Sequence, residues 1–181
     1  MLFWGIGSSI FMIIGALVLV VATPSFSIKD KAFSAIVRAP NRFIPFTLLC
    51  LITLLARGVF LYSLVVRFNL TTAWWLIAIV FVAWLLLLAS ILIPVTINRL
   101  LHKYLALIAL YLSLIFLVGF QFFILPTDLT GKFLVGLLLT IPFILSKTYK
   151  NWGPPEASIA ILITLWDWHL LFLNEYYGHS P

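Results

Sequence analysis

The chain has 181 residues, of which 64% are hydrophobic and 9% charged, with 11 Lys or Arg against 5 Asp or Glu. A soluble domain is nearer half apolar and a quarter charged, and a core of this size cannot bury so many apolar side chains, so a soluble globular protein is excluded and the bilayer becomes the solvent. The net charge of +6 lies almost wholly between apolar runs, where anionic head groups and the positive-inside effect account for it, rather than on a basic face suited to nucleic acid.

The first apolar run, residues 2–23, is long enough to cross a bilayer at about 20 residues per span. No Lys or Arg precedes it, so it reads as a retained transmembrane helix and not as a secretory signal. Gly5, Ser8 and Gly15 recur at helical spacing and form a small-residue face that permits close helix contact. A polar interruption follows at residues 24–42, holding Lys29, Lys31, Arg38 and Arg42 against the single acid Asp30.

The second run, 43–66, is interrupted only by Arg57. The third, 74–97, opens on Trp74 and Trp75, which suit a membrane interface, and carries Pro94 near its end, where a kink or a last turn is expected. Residues 98–104 read as a second basic connection. A fourth run, 105–125, stops at Pro126. Two shorter runs follow, 133–146 and 157–173, separated by the Gly153-Pro154-Pro155 break. At about 14 and 17 residues they are short for full crossings. They extend into their flanks, thin the bilayer locally, or form a re-entrant pair. The expected fold is therefore all-α and polytopic, with six transmembrane helices, or four plus a short re-entrant hairpin. Two modules are expected, a three-span unit at 1–104 and a unit of three runs at 105–181.

Charge counting orients the six-span arrangement. Connections one, three and five carry Lys29, Lys31, Arg38, Arg42, Arg99, Lys103, Lys147 and Lys150, while two and four carry only Arg67 and Lys132. Eight against two places the odd connections in the cytoplasm and both termini outside, in an inner membrane of bacterial type.

Arg57 is the most informative single residue. A charge well inside a span costs at least about 2.5 kcal/mol, so it faces protein or water. Asp167, of opposite sign, lies at similar depth in the last run, and an Arg57–Asp167 pair would tie that run to the second. The competing expectation is that Arg57 snorkels outward and Asp167 faces a vestibule. His169 stands about 200° round the helix from Asp167 and cannot easily share a metal site with it. His102, His169 and His179 are scattered, and Cys50 is alone, so no metal or cofactor is expected. The Asp167–His169 end could pass protons or cations, or form an interfacial aromatic belt with polar tips. Ser8 and Ser9 have no nearby base, and no hydrolase, kinase or dinucleotide-binding pattern occurs, so an enzyme is not expected.

The opening GIGSSIFMIIGALVLVVA carries a glycine–alanine pattern before its loop. In that loop Asp30, Phe33-Ser34 and AIVRAP follow in order, and the third run ends in ASILIPVTINRLLHKY, a Pro-Val with a basic tail. In these features residues 1 to about 104 resemble the small G subunit of Mrp-type multisubunit cation/proton antiporters. The resemblance covers just over half the chain and implies an accessory subunit without its own catalytic centre, packed against larger ion-translocating subunits. Residues 105–181 have no counterpart in a subunit of that size. Two further readings stay open, a structural or assembly subunit of a respiratory or photosynthetic complex and a small self-contained transporter or channel. The partners expected are other integral membrane subunits and membrane lipids, with no nucleic acid.

Overall fold

A chain in lipid must satisfy its backbone internally, and for runs of this length the helix is the way to do so. The structure, a computed structural model, describes residues 3–24, 26, 27, 31, 33–93, 97–149 and 152–177. Among them are helices and no strands: α1 (Phe3–Val21), α2 (Phe43–Arg67), α3 (Trp74–Leu92), α4 (Arg99–Gly119), α5 (Leu129–Thr148) and α6 (Gly153–Tyr177). All six are long and apolar enough to cross a membrane. The protein is an all-α, multi-pass membrane protein.

The alternative of four crossings with a re-entrant hairpin does not hold. The apolar runs at 133–146 and 157–173 stop at polar residues, but the helices continue through them. α5 spans 20 residues and α6 spans 25. Asp128 caps α5, its Oδ1 accepting from the Gly131 amide at 3.0 Å, which serves one of the N–H groups that a helix start leaves free. Pro154 and Pro155 occupy the first turn of α6, where their missing donors are not needed.

Residues 98–104 are likewise no mere connection. Asn98 caps α4 by accepting from the Leu101 amide at 3.0 Å, and Arg99, His102 and Lys103 form its first turns. Residue 104, the expected module boundary, thus falls inside α4. Pro94, Lys29, Asp30, Lys150 and His179 lie outside the described residues.

The helices pack as three hairpins, α1 on α2, α3 on α4 and α5 on α6, and α1 also lies against α6. Connections two and four fall at one end of the bundle, connections one, three and five at the other. At the end of the even connections the interior is solid. Phe60, Leu64, Leu76, Phe120, Trp166 and Leu170 are all buried in one cluster, with Phe120 edge-on to both Phe68 and Trp166. A smaller cluster of Leu19, Ile36, Val37 and Leu49 closes the other end. Trp74 is exposed at the start of α3, whereas Trp75 packs edge-on against Phe123 at 5.6 Å.

The small residues of α1 are spent on α2. A Cβ at Gly5 would meet the Phe60 ring at 2.6 Å, and one at Gly15 would meet Leu49 at 2.4 Å. Close approach of this kind replaces the hydrophobic drive that helices lack in lipid. Gly5→Ala therefore destabilises the protein by about 1–3 kcal/mol, the range for overpacking. At Gly7 an added Cβ meets nothing within 4 Å, so Gly7→Ala leaves stability nearly unchanged. Thermal unfolding in mild detergent measures both.

Candidate functional site

Arg57 stands fourteen residues after the start of α2, and Asp167 fourteen after the start of α6. At 1.5 Å per residue both are about 21 Å from the same end of the bundle. They meet there. Arg57 Nη1 donates to Asp167 Oδ2, and Ser9 Oγ of α1 donates to the same oxygen at 2.9 Å. Ser9 also lies 3.4 Å from Arg57 Nη1. The Phe60 ring packs against the guanidinium, with Cζ 5.1 Å from the ring centroid. Three helices converge on one carboxylate oxygen.

The two partners are unequally buried. The Asp167 side chain is 0% exposed and that of Arg57 is 22%. Asp167 Oδ1 is buried and has no hydrogen-bond partner among the described residues. Beside the pair lies a cavity of about 420 Å³, walled by α1, α2, α3, α4 and α6. Arg57 and Ser9 reach it near the middle of the bundle, and Cys50, Thr47 and His102 farther toward the odd connections.

Trp84 of α3 borders the cavity and donates from Nε1 to the Leu54 carbonyl of α2 at 3.0 Å. His102 Nδ1 lies 2.8 Å from the Ser90 carbonyl and 3.2 Å from that of Ile93, which ties α4 to the end of α3. The first connection closes this end. Its residues Phe33–Arg38 form a 3-10 turn whose Phe33 amide donates to Glu156 of α6. Ser34 and Val37 of the turn border the cavity.

His169 belongs to a different cluster, at the end of the even connections. Its Nε2 lies 2.8 Å from Asp128 Oδ2. Gln121 Nε2 donates to the same oxygen at 2.8 Å, and Trp166 Nε1 donates to Gln121 Oε1 at 3.2 Å. Gln121, fully buried, sits in a wide π-helical turn at Phe120–Ile124 that continues α4. Burial pushes the Asp128 carboxyl up, but the Gly131 amide, His169 and Gln121 outweigh it and hold the group below its ordinary value. Both Asp128 oxygens and both ends of the Gln121 amide have partners, so the cluster acts as a clamp between α4, α5 and α6.

The expected residues thus separate. Arg57 and Asp167 come together, and His169 pairs elsewhere. Ser9 reads in sequence as a hydroxyl without a base, and its partner lies 158 residues away. Asp128 has one local signal, an Asp two residues beyond Pro126 and three before Gly131, the pattern of a helix cap. Among the described residues no three of His, Cys, Asp and Glu come together in a way that could hold a metal. Compared with family models, curated proteins and solved structures, the chain matches none.

Removing one member of a buried pair strands the other, at a cost of about 3–5 kcal/mol, whereas removing both can be nearly neutral. Arg57→Gln and Asp167→Asn each lower the unfolding temperature sharply, and the double variant recovers most of the loss. Differential scanning fluorimetry of the four purified proteins reads this directly. Equal losses in the double and single variants would count against the pair.

Proposed function

We propose that this protein is a non-enzymatic membrane carrier, a small transporter whose central cavity receives an amphipathic solute. The observation that carries the reading is the Arg57–Asp167 pair set between helices beside a cavity of about 420 Å³. Ionisable groups inside a membrane are expensive and mark sites by default, and ligand pockets run from about 300 to 1,000 Å³. The packing is uneven in a way that suits a carrier at rest. One end is solid, with Phe60, Phe116, Phe120 and Trp166 in its core, while the other is closed by the 3-10 turn and the smaller cluster around Ile36 and Val37.

Orientation follows from charge. Among the described residues Lys31, Arg38, Arg42, Arg99, Lys103 and Lys147 gather at the odd connections, and Arg67 and Lys132 at the even ones. The positive end is cytoplasmic by the positive-inside rule, so both termini lie outside and the cavity is reached from within.

A second reading, an accessory subunit of a larger membrane complex, rests on the resemblance of residues 1–104 to the small antiporter subunit. Gly7 and Gly136 favour it, since an added Cβ at either meets nothing within 4 Å. Small residues open to the surface are where a partner helix can approach.

Gentle detergent extraction followed by mass spectrometry separates the two. A carrier runs as a monomer or small homo-oligomer, and native spectra show a bound small amphiphile that is lost when Ala106→Trp fills the cavity. Stoichiometric co-purification of large antiporter-like subunits would establish the second reading instead. For topology, a C-terminal alkaline phosphatase fusion is active and a C-terminal green fluorescent protein fusion is dark. The reverse pattern overturns the orientation.

A further inference from the structure

The lining of the cavity is asymmetric in charge. Among the described residues its ionisable groups are Arg57, His102 and Cys50, and none of them is a carboxylate. Asp167 is fully covered, so a molecule in the cavity meets the guanidinium and not its counter-ion. Arginine carries five N–H donors in a planar fork. The hydrogen bonds of Arg57 to the described residues all leave from Nη1. Donors on Nε and Nη2 are left for a group with two oxygens, the geometry in which arginine binds carboxylate and phosphate best.

Most of the remaining lining side chains are apolar, with Met12, Leu54, Leu61, Ile91, Leu117 and Ile163 among them. They suit an aliphatic tail, and the hydroxyls among them, such as Thr53, Ser90 and Ser113, are already bonded within the protein. We propose that the cavity binds a single-chain amphiphile with an oxyanion head, carboxylate or phosphate, whose head is held by Arg57. The inference rests on the carrier reading and names the class of solute for that site.

One guanidinium then serves two anions, the covered carboxylate of Asp167 and the head group in the cavity. No other charged residue among the described ones touches the pair. Ser9 comes from α1, Arg57 from α2 and Asp167 from α6, and His102 lies farther along the cavity.

The test uses the full chain in phosphatidylcholine nanodiscs with tritiated palmitate, and empty nanodiscs as background. Palmitate and lysophosphatidic acid should displace the label at concentrations at least about ten-fold lower than methyl palmitate or hexadecyltrimethylammonium, as the loss of a charged hydrogen bond implies. Whichever acid displaces better identifies the head as carboxylate or phosphate. Arg57→Lys, which keeps the charge and loses the fork, should weaken binding by about the same factor. The double variant Arg57→Gln with Asp167→Asn, checked for folding by its unfolding temperature, should lose the preference for acids altogether.

If methyl palmitate or the ammonium displaces as well as palmitate while Ala106→Trp still abolishes binding, the oxyanion inference is overturned and the carrier reading stands. If Ala106→Trp has no effect, or nothing binds saturably, the carrier reading falls with it.

Discussion

A charge cannot stay in the middle of an apolar helix without an answer from elsewhere in the chain, and Arg57 is the constraint around which this bundle closes. Its answer comes from α6, the last helix, and is completed by a hydroxyl from α1, the first. Ends of the chain that share no local contact are thereby held at one depth. Packing alone would not select that arrangement, because lipid-facing and protein-facing apolar side chains are nearly equivalent in a bilayer. The ion pair supplies a register, and the close contacts of Gly5 and Gly15 with α2 agree with it.

From that level the two halves of the interior diverge for a chemical reason. Toward the even connections the facing residues are mostly large, and Phe60, Phe116, Phe120 and Trp166 fill the space between α2, α4 and α6. Rings of this size interlock edge to face. The Gln121–Asp128–His169 clamp fixes the ends of the helices that carry them. Toward the odd connections the facing residues are small or hydroxylic, among them Thr47, Thr53, Ser90, Ala106 and Ser113. Side chains of that size cannot meet across a five-helix interior, and a cavity is the geometric consequence.

The class of fold is legible in the apolar runs, since nothing except a bilayer can absorb them. Their ends are not. Hydropathy falls at the first polar residue, whereas a helix goes on until its hydrogen bonds end. Residues 99–104, 129–132 and 153–156 are polar or broken in sequence and helical in the fold. The pair shows the same division. Arg57 announces itself because a guanidinium in a run of leucines is rare, and an acid at similar depth is an obvious partner for it. Ser9, Gln121 and Trp84 announce nothing, because hydroxyls, amides and tryptophans are common in membrane helices. Their roles depend on contacts between residues 30 to 158 positions apart. His169 is the instructive case. Its nearness to Asp167 in sequence suggests a shared path, yet the helix turns it to another face, and its partner Asp128 stands beyond the preceding helix.

The first connection joins these points. In sequence it is a basic loop, and its charges alone would hold it among the head groups. In the fold, Ile36 and Val37 are buried, Phe33 packs on Phe46 at 5.2 Å, and its amide is held by Glu156 at the start of α6. Arg42 donates back to the Ala22 carbonyl, which pins the far end of the loop to α1. A segment that only had to stay in the head groups would need none of these contacts. They place Ser34 and Val37 on the cavity wall, in a turn tethered to α1, α2 and α6. The Arg57–Asp167 pair joins those same three helices. The ion pair and the turn thus brace the same three helices at two depths, without any contact through α3, α4 or α5.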